Sequence, residues 1–178
     1  MTSLTAFTVL VVLVGLERLA ELVVSKRNAA WSKEQGGVET GFSHYPFMVV
    51  LHTGLLVGAL VEAYAREPVV PAWLAWSMVV VVLLTQALRW WCIATLGRRW
   101  NTRVIIVPGM VPVQKGPYRI ISHPNYVAVV VEGVALPLVH AAWITAVVFT
   151  VLNAVLLTVR IRVEDAALAT LPTEPADA

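Results

Sequence analysis

Long, predominantly apolar runs occupy most of this 178-residue chain, and they restrict its fold more than any motif does. Leu4 to Val24, Pro46 to Ala63 and Trp73 to Trp91 each approach the ~20 residues that an α-helix needs to cross a bilayer core. Inside lipid every backbone N–H and C=O must find a partner within the protein, so such runs become helices. A further run, Tyr126 to Val159, is broken at Pro137 and His140. Its first arm is about 13 residues, or roughly 20 Å of helix; its second is full length. A short arm and a full arm imply a hairpin. With 58% hydrophobic and 13% charged residues, the chain is also too apolar for an ordinary soluble domain. The expectation is an all-α integral membrane protein of about five transmembrane helices, the last two forming a helical hairpin.

The cations indicate which side is which. Lys26, Arg27 and Lys33 follow the first span, Arg98, Arg99, Arg103, Lys115 and Arg119 lie between the third and fourth, and Arg160 and Arg162 follow the fifth. All fall on one side of a five-helix topology, whereas the opposite loops offer only Arg66 beside Glu67. The positive-inside rule makes the shared side cytoplasmic, with the amino terminus outside and the carboxyl terminus inside. Trp73, Trp76 and Trp143 then mark the outer interface, and Trp90, Trp91 and Trp100 the inner one. The net charge of +2 is thus a topology signal. No basic stripe suits nucleic acid, because the cations are spread over separate segments. Cys92, the one cysteine, excludes an internal disulfide and argues against a thiolate metal cluster, and no metal site is expected. The first run lacks a basic n-region and a small-residue cleavage site, so it reads as a helix and not as a removed signal peptide.

Between the spans, Ser25 to His44 reads as a long polar connector containing Gly36-Gly37, Glu39 and Gly41. Gly97 to Ser122 reads as irregular or short-strand structure around Val104-Ile105-Ile106-Val107. Residues 1–170 form one expected domain, with 97–170 its most distinctive part. From Leu171 to Ala178 the chain has no apolar periodicity and is expected to be an unstructured tail.

Two polar segments stand out against this background. Tyr118, His123 and Tyr126 bring two phenols and an imidazole close together, stiffened by Pro117 and Pro124, while Gly116 permits close backbone approach. Such a stretch suits a flat polar ligand, and Pro124 opening a helix would leave backbone N–H groups for an anion. A helix-start turn packing its rings at the interface has the same composition, so both readings stand. Later, Arg160 and Glu164 share a helical face while Arg162 and Asp165 lie on others. This pair is either a solvated helix end or part of a site. Glu17, Arg18, Glu21, Arg89 and Glu132 fall within or near spans, where ionisable groups are expensive and usually paired; contact with a substrate head is the other reading. No G-x-G-x-x-G follows a strand, so a soluble-type nucleotide fold is not supported.

Gly116 and Tyr118, then His123-Pro124-Asn125-Tyr126 opening a helix, then Arg160 with Glu164-Asp165 closing the last one, resemble the isoprenylcysteine carboxyl methyltransferase family over about Trp100 to Leu168. The resemblance implies S-adenosyl-L-methionine as cofactor, held in a cytoplasmic segment. It places Val113, Gly116, Tyr118, His123, Pro124, Asn125, Tyr126 and Glu164 in the cofactor pocket, flanked by Arg103 and Met110. It also implies catalytic roles for Arg160 and Glu164, with Arg160 facing the acceptor. The family usually has Arg immediately before His-Pro; this chain has Ser122, with Arg119 three residues earlier. The amino-terminal half, with Glu17-Arg18, Glu21, Ser25-Lys26-Arg27-Asn28, Gly36-Gly37, Glu39 and His44-Tyr45-Pro46, resembles the bacterial branch acting on lipid-tailed polyketides such as alkylpyrones. That implies a bacterial cytoplasmic-membrane O-methyltransferase. Its partners would be a lipophilic small-molecule acceptor and membrane lipid, with Glu17, Arg18 and Glu21 near the acceptor. Alternatives are a phosphatidylethanolamine N-methyltransferase, a sterol-type reductase, for which the chain is short, and a non-catalytic lipid-binding protein.

Overall fold

A computed structural model describes residues 2–172, so all but the first two residues of the expected 171–178 tail lie outside the described residues. Five helices carry the fold: α1 (Thr2–Glu34), α2 (Tyr45–Arg66), α3 (Ala72–Leu96), α4 (Pro124–Leu138) and α5 (Trp143–Leu168). Short strands β1 (Val38–Thr40) and β2 (Val104–Ile106) pair antiparallel, with Glu39 opposite Ile105. Among the described residues α2, α3 and α5 are each long and apolar enough to cross a membrane, and α4 is a shorter apolar helix. This is the all-α membrane architecture expected, with α4 and α5 as the hairpin.

One segment departs from expectation. The polar connector at Ser25 is helical as far as Glu34, so α1 has 33 residues and the loop proper begins at Gln35. Ser25, Asn28 and Ser32 lie on one face together with Glu21, and all four are buried. This face packs against polar backbone: the Asn28 amide donates to the carbonyls of Gly97 and Trp100, at 3.1 and 2.7 Å. The helix continues because its polar stripe recurs at helical spacing and finds partners, even though no apolar stripe marks it.

Toward its start α1 is conventional. Phe7, Val11 and Val14 recur at helical spacing and form a core with Ala59 and Ala63 of α2, Val82 of α3, and Ala135, Leu136 and Val139 of α4. Val9, Val12, Leu13 and Leu16 on the other face are exposed, as a lipid-facing surface requires. The ionisable residues that follow turn inward. Arg18 bonds Glu21 at 2.8 Å and Gln86 at 2.7 Å, and Arg89 of α3 bonds Glu132 of α4 at 2.7 Å. Glu132 also accepts from Arg18 at 3.3 Å, and the Trp90 indole donates to Glu17.

The α4–α5 hairpin closes through the 139–142 turn. Pro137 is accommodated in the last turn of α4, and the chain reverses at Ala141, whose φ is +50°. Helices α4 and α5 approach closely at Gly133: a Cβ there would collide with the Phe149 ring. The first N–H groups of α5 have no intrahelical partner, and Glu62 of α2 supplies one. It accepts from Ile144 N at 3.0 Å, Thr145 N at 2.8 Å and the Thr145 hydroxyl at 2.9 Å. Removing this carboxylate leaves the part-buried donors at the start of α5 unpaired, so Glu62→Ala is expected to cost about 1–3 kcal/mol. A lowered thermal midpoint of the purified protein, largely recovered in Glu62→Gln, is the measurement that checks it.

Candidate functional site

A cavity of about 560 Å³ opens where the 97–126 segment meets the end of α5. The last turn of α3, β2, the loop after it and the 3₁₀ turn Gly116–Arg119 form one side, and His123, Asn125 and Tyr126 lead into α4 on the other. Arg160 and Glu164 close it from α5.

The central contacts form a chain. Arg160, buried at 5% exposure, donates from Nε to the Tyr126 hydroxyl at 2.6 Å, and that hydroxyl donates onward to Glu164. Its Nη2 donates to the Thr102 carbonyl at 2.7 Å and its Nη1 to the Met48 sulfur at 2.9 Å. A guanidinium has five N–H groups, so one on each terminal nitrogen remains for a ligand. Thr102 is gripped in turn by α1: its hydroxyl shares a 2.8 Å hydrogen bond with Ser25, and its N–H donates to the Ser25 oxygen at 3.0 Å.

His123 stacks on Tyr126, with ring centroids 5.3 Å apart, and its Nε2 lies 2.8 Å from Asp165. Arg103 is set by Glu39 of β1 at 3.0 Å and lies over the Tyr45 ring, its guanidinium carbon 4.8 Å from the centroid. Sheet pairing therefore brings Arg103 to the cavity. Burial, followed by the neighbouring Cys92, pushes the Tyr118 phenol well above the ordinary tyrosine range, so it remains protonated and hydrogen-bonded to that thiol. Burial and then the Arg160 charge push the proton affinity of His44 below the usual imidazole value. Two acceptors on the wall, Asn101 Oδ1 and Asn125 Oδ1, are buried without a hydrogen-bond partner. Such groups are costly unless something binds them.

Among the residues singled out from sequence, Arg103, Met110, Val113, Tyr118, His123, Asn125, Tyr126, Arg160 and Glu164 all line this cavity. Gly116 and Pro124 do not. Gly116 sits at φ +55° against Thr95 and Trp91, where a Cβ would clash, and Pro124 is fully buried under the start of α4. Both shape the wall from behind. The backbone anion cradle expected at Pro124 is also not formed in full, because Tyr126 N and Val127 N both turn back to the His123 carbonyl. Glu17, Arg18 and Glu21 stand apart, in the ion network with Arg89 and Glu132. Sequence reasoning missed Ser32 and Asn101, which line the wall, and Thr102 and Met48, which hold Arg160. The buried polar stripe of α1 was the signal for the first of these. Thr102 acts through its backbone, which no side-chain pattern betrays.

The model of the isoprenylcysteine carboxyl methyltransferase (ICMT) family matches residues 78–170. Those residues include the whole cavity wall except Ser32 and Leu171. A relative from Bacillus subtilis (strain 168), described as uncharacterized protein YpbQ, is 38% identical over 163 residues, covering 91% of this chain and 96% of the relative. No solved structure matches the chain.

The Tyr126 hydroxyl links Arg160 to Glu164, whereas the His123–Asp165 contact lies at an exposed carboxylate. Tyr126→Phe is therefore expected to destabilise the fold by about 1–3 kcal/mol, and Asp165→Ala by less than about 0.5 kcal/mol. Thermal or denaturant unfolding of the two variants side by side checks the contrast.

Proposed function

The chain belongs to the isoprenylcysteine carboxyl methyltransferase family, and on that premise we propose that this membrane methyltransferase uses S-adenosyl-L-methionine to methylate an oxygen of a lipid-like acceptor. The observation that carries the proposal is the cavity wall, which joins the Arg160–Tyr126–Glu164 chain to two unpartnered acceptors.

The wall fits the donor. At about 560 Å³ the cavity is within the range of small-molecule sites. The donor's ammonium, ribose hydroxyls and adenine amino group are all hydrogen-bond donors; Asn101 Oδ1 and Asn125 Oδ1 are acceptors without partners, and Glu164 has acceptor capacity beyond the Tyr126 contact. Tyr118 and His123 offer ring surface, and Arg103 with Met110 flanks the space. When bound, S-adenosylmethionine supplies a methyl group already activated by its positive sulfur, which departs as a neutral thioether.

What remains for the protein is alignment and charge management. Arg160 is held by three hydrogen bonds in a fixed orientation and keeps N–H groups with which to grip an acceptor anion. Glu164 lies across the Tyr126 hydroxyl, on the side suited to a cationic donor. The wall carries Arg99, Arg103, Arg119 and Arg160 against Glu164, with Glu39 answering Arg103 from behind. This excess of positive charge favours an ionised enol, phenol or carboxylate and opposes an ammonium headgroup, which argues for O-methylation over N-methylation of phosphatidylethanolamine. An acceptor that arrives ionised needs no general base, since its negative charge is lost as the oxygen–carbon bond forms. An alkylpyrone-type polyketide and an isoprenylcysteine-like carboxylate both meet this requirement.

The proposed setting is the bacterial cytoplasmic membrane with the cavity on the cytoplasmic side. The apolar helices and the one-sided placement of cations support it. A green-fluorescent fusion at the carboxyl terminus is expected to fluoresce, and an alkaline phosphatase fusion there to be inactive; the reverse result would invert the topology.

Arg160→Ala is expected to lower turnover by about 100-fold with S-adenosylhomocysteine affinity little changed. Glu164→Ala is expected to weaken that affinity by about tenfold, the loss of one charge-assisted hydrogen bond. Calorimetry with S-adenosylhomocysteine and labelled methyl transfer to a long-chain alkylpyrone measure the two effects separately. A double variant that binds and methylates like the parent would refute the assignment.

A further inference from the structure

A second cavity, of about 330 Å³, lies beside the first, between α1 and the start of α2. Lys26 and Lys33 of α1 and Arg103 line it together with Tyr45 and Thr102, and Leu22 and Ala29 supply apolar surface. Arg103 belongs to the walls of both cavities. Thr102, on the wall of the second, accepts a hydrogen bond from Arg160, on the wall of the first. The two spaces therefore meet at Arg103 and at the Thr102–Arg160 contact.

The charge in the second cavity is not balanced internally. Glu39 is shared between Lys33 at 3.6 Å and Arg103 at 3.0 Å, and Lys26 forms no ion pair among the described residues. Three cations thus converge with one carboxylate to answer them. Beside the cavity, Leu19 and Val23 of α1 are exposed, 60% and 51%, on the helix's apolar run. Cationic walls opening beside a lipid-facing helix describe a place for an amphiphile, head inward and tail outward.

We propose that this second cavity is the acceptor's head-group subsite and takes the anionic head of an apolar-tailed acceptor, which Arg103, common to both walls, passes toward Arg160. Lys26 and Lys33 select for negative charge at a distance from the reacting atoms. The proposal rests on the methyl-transfer reading for its purpose, but the site itself is testable without turnover.

The test uses the full-length protein in phosphatidylcholine nanodiscs and a long-chain carboxylate carrying a photoreactive diazirine near its head. The matching long-chain alcohol serves as control. Peptide mapping is expected to find the carboxylate on residues 22–33 or Tyr45, with labelling above that of the alcohol by about fivefold per lysine. Lys26→Ala/Lys33→Ala is expected to remove that preference, Lys26→Arg/Lys33→Arg to keep it, and calorimetric affinity for S-adenosylhomocysteine to stay within twofold in both. Equal labelling by acid and alcohol, or labelling elsewhere, overturns the proposal. Loss of labelling when phosphatidylglycerol replaces a part of the phosphatidylcholine, with a long-chain alkylpyrone failing to compete, also overturns it by assigning the site to phospholipid. Charge-selective labelling in a protein that transfers no methyl group upholds the subsite and refutes the proposed function instead.

Discussion

The buried guanidinium of Arg160 is the point from which the cavity end of this molecule is organised. A charge removed from water is tolerated only if its donors are met, and here the partners come from every direction. Tyr126 belongs to α4, Met48 to α2, and Thr102 to the segment that α1 holds through Ser25. Met48, Thr102 and Tyr126 come from three separate stretches of the chain. Satisfying one side chain therefore draws α1, α2, α4 and α5 into register around the cavity. The same requirement fixes the side chain's orientation, since three neighbours pin it while one N–H on each terminal nitrogen stays unused.

A second set of charges lies deeper and behaves differently. Glu132 is about 12 Å further along α4 than the helix start, counted at the helical rise, and it meets Arg89 and Arg18 in a network shared with Glu21. Here the charges answer one another. Arg18 Nε and Arg89 Nε remain without hydrogen bonds, so the pairing is imperfect in detail. What the network achieves is registry: α1, α3 and α4 can slide or rotate against each other only by separating charges inside an apolar environment. The apolar core of Phe7, Val11 and Val14 against Ala59 and Ala63 provides close packing but little specificity of its own, since small and aliphatic residues repeat along all these helices.

Legibility in the sequence followed the kind of force involved. Spans were readable because apolar runs respond to one constraint, the thickness of a bilayer, and the α4–α5 hairpin because Pro137 and His140 interrupt such a run. The cavity-facing residues from Arg103 to Glu164 were readable through the family resemblance, since the polar segment alone fitted a packed helix-start turn equally well. The extension of α1 to Glu34 was not, since its inward face is Ser25, Asn28 and Ser32, and polar side chains meeting backbone carbonyls leave no hydrophobic period. Nor was the role of Thr102, which depends on its carbonyl. Gly116 and Pro124 were correctly tied to this region but not to its surface: the one is needed where a side chain would strike Thr95, the other where the chain must turn under α4.

The departure at Ser122 bears on how much of the family's charge pattern the site requires. Ser122 and Arg119 both line the cavity, so the wall retains a cation even though the position before His123 has none. Arg119 closes the 3₁₀ turn Gly116–Arg119, whose tight winding presents it to the same space that a residue three positions later also reaches. A cation at the mouth acts through its field over several ångströms and does not require one fixed atom position, whereas Arg160 acts through directed hydrogen bonds and has no neighbour that duplicates them. A cation at the mouth can therefore move along the chain while the one at the centre cannot. In this chain the wall keeps a cation at Arg119, while the centre depends on the fixed geometry of Arg160.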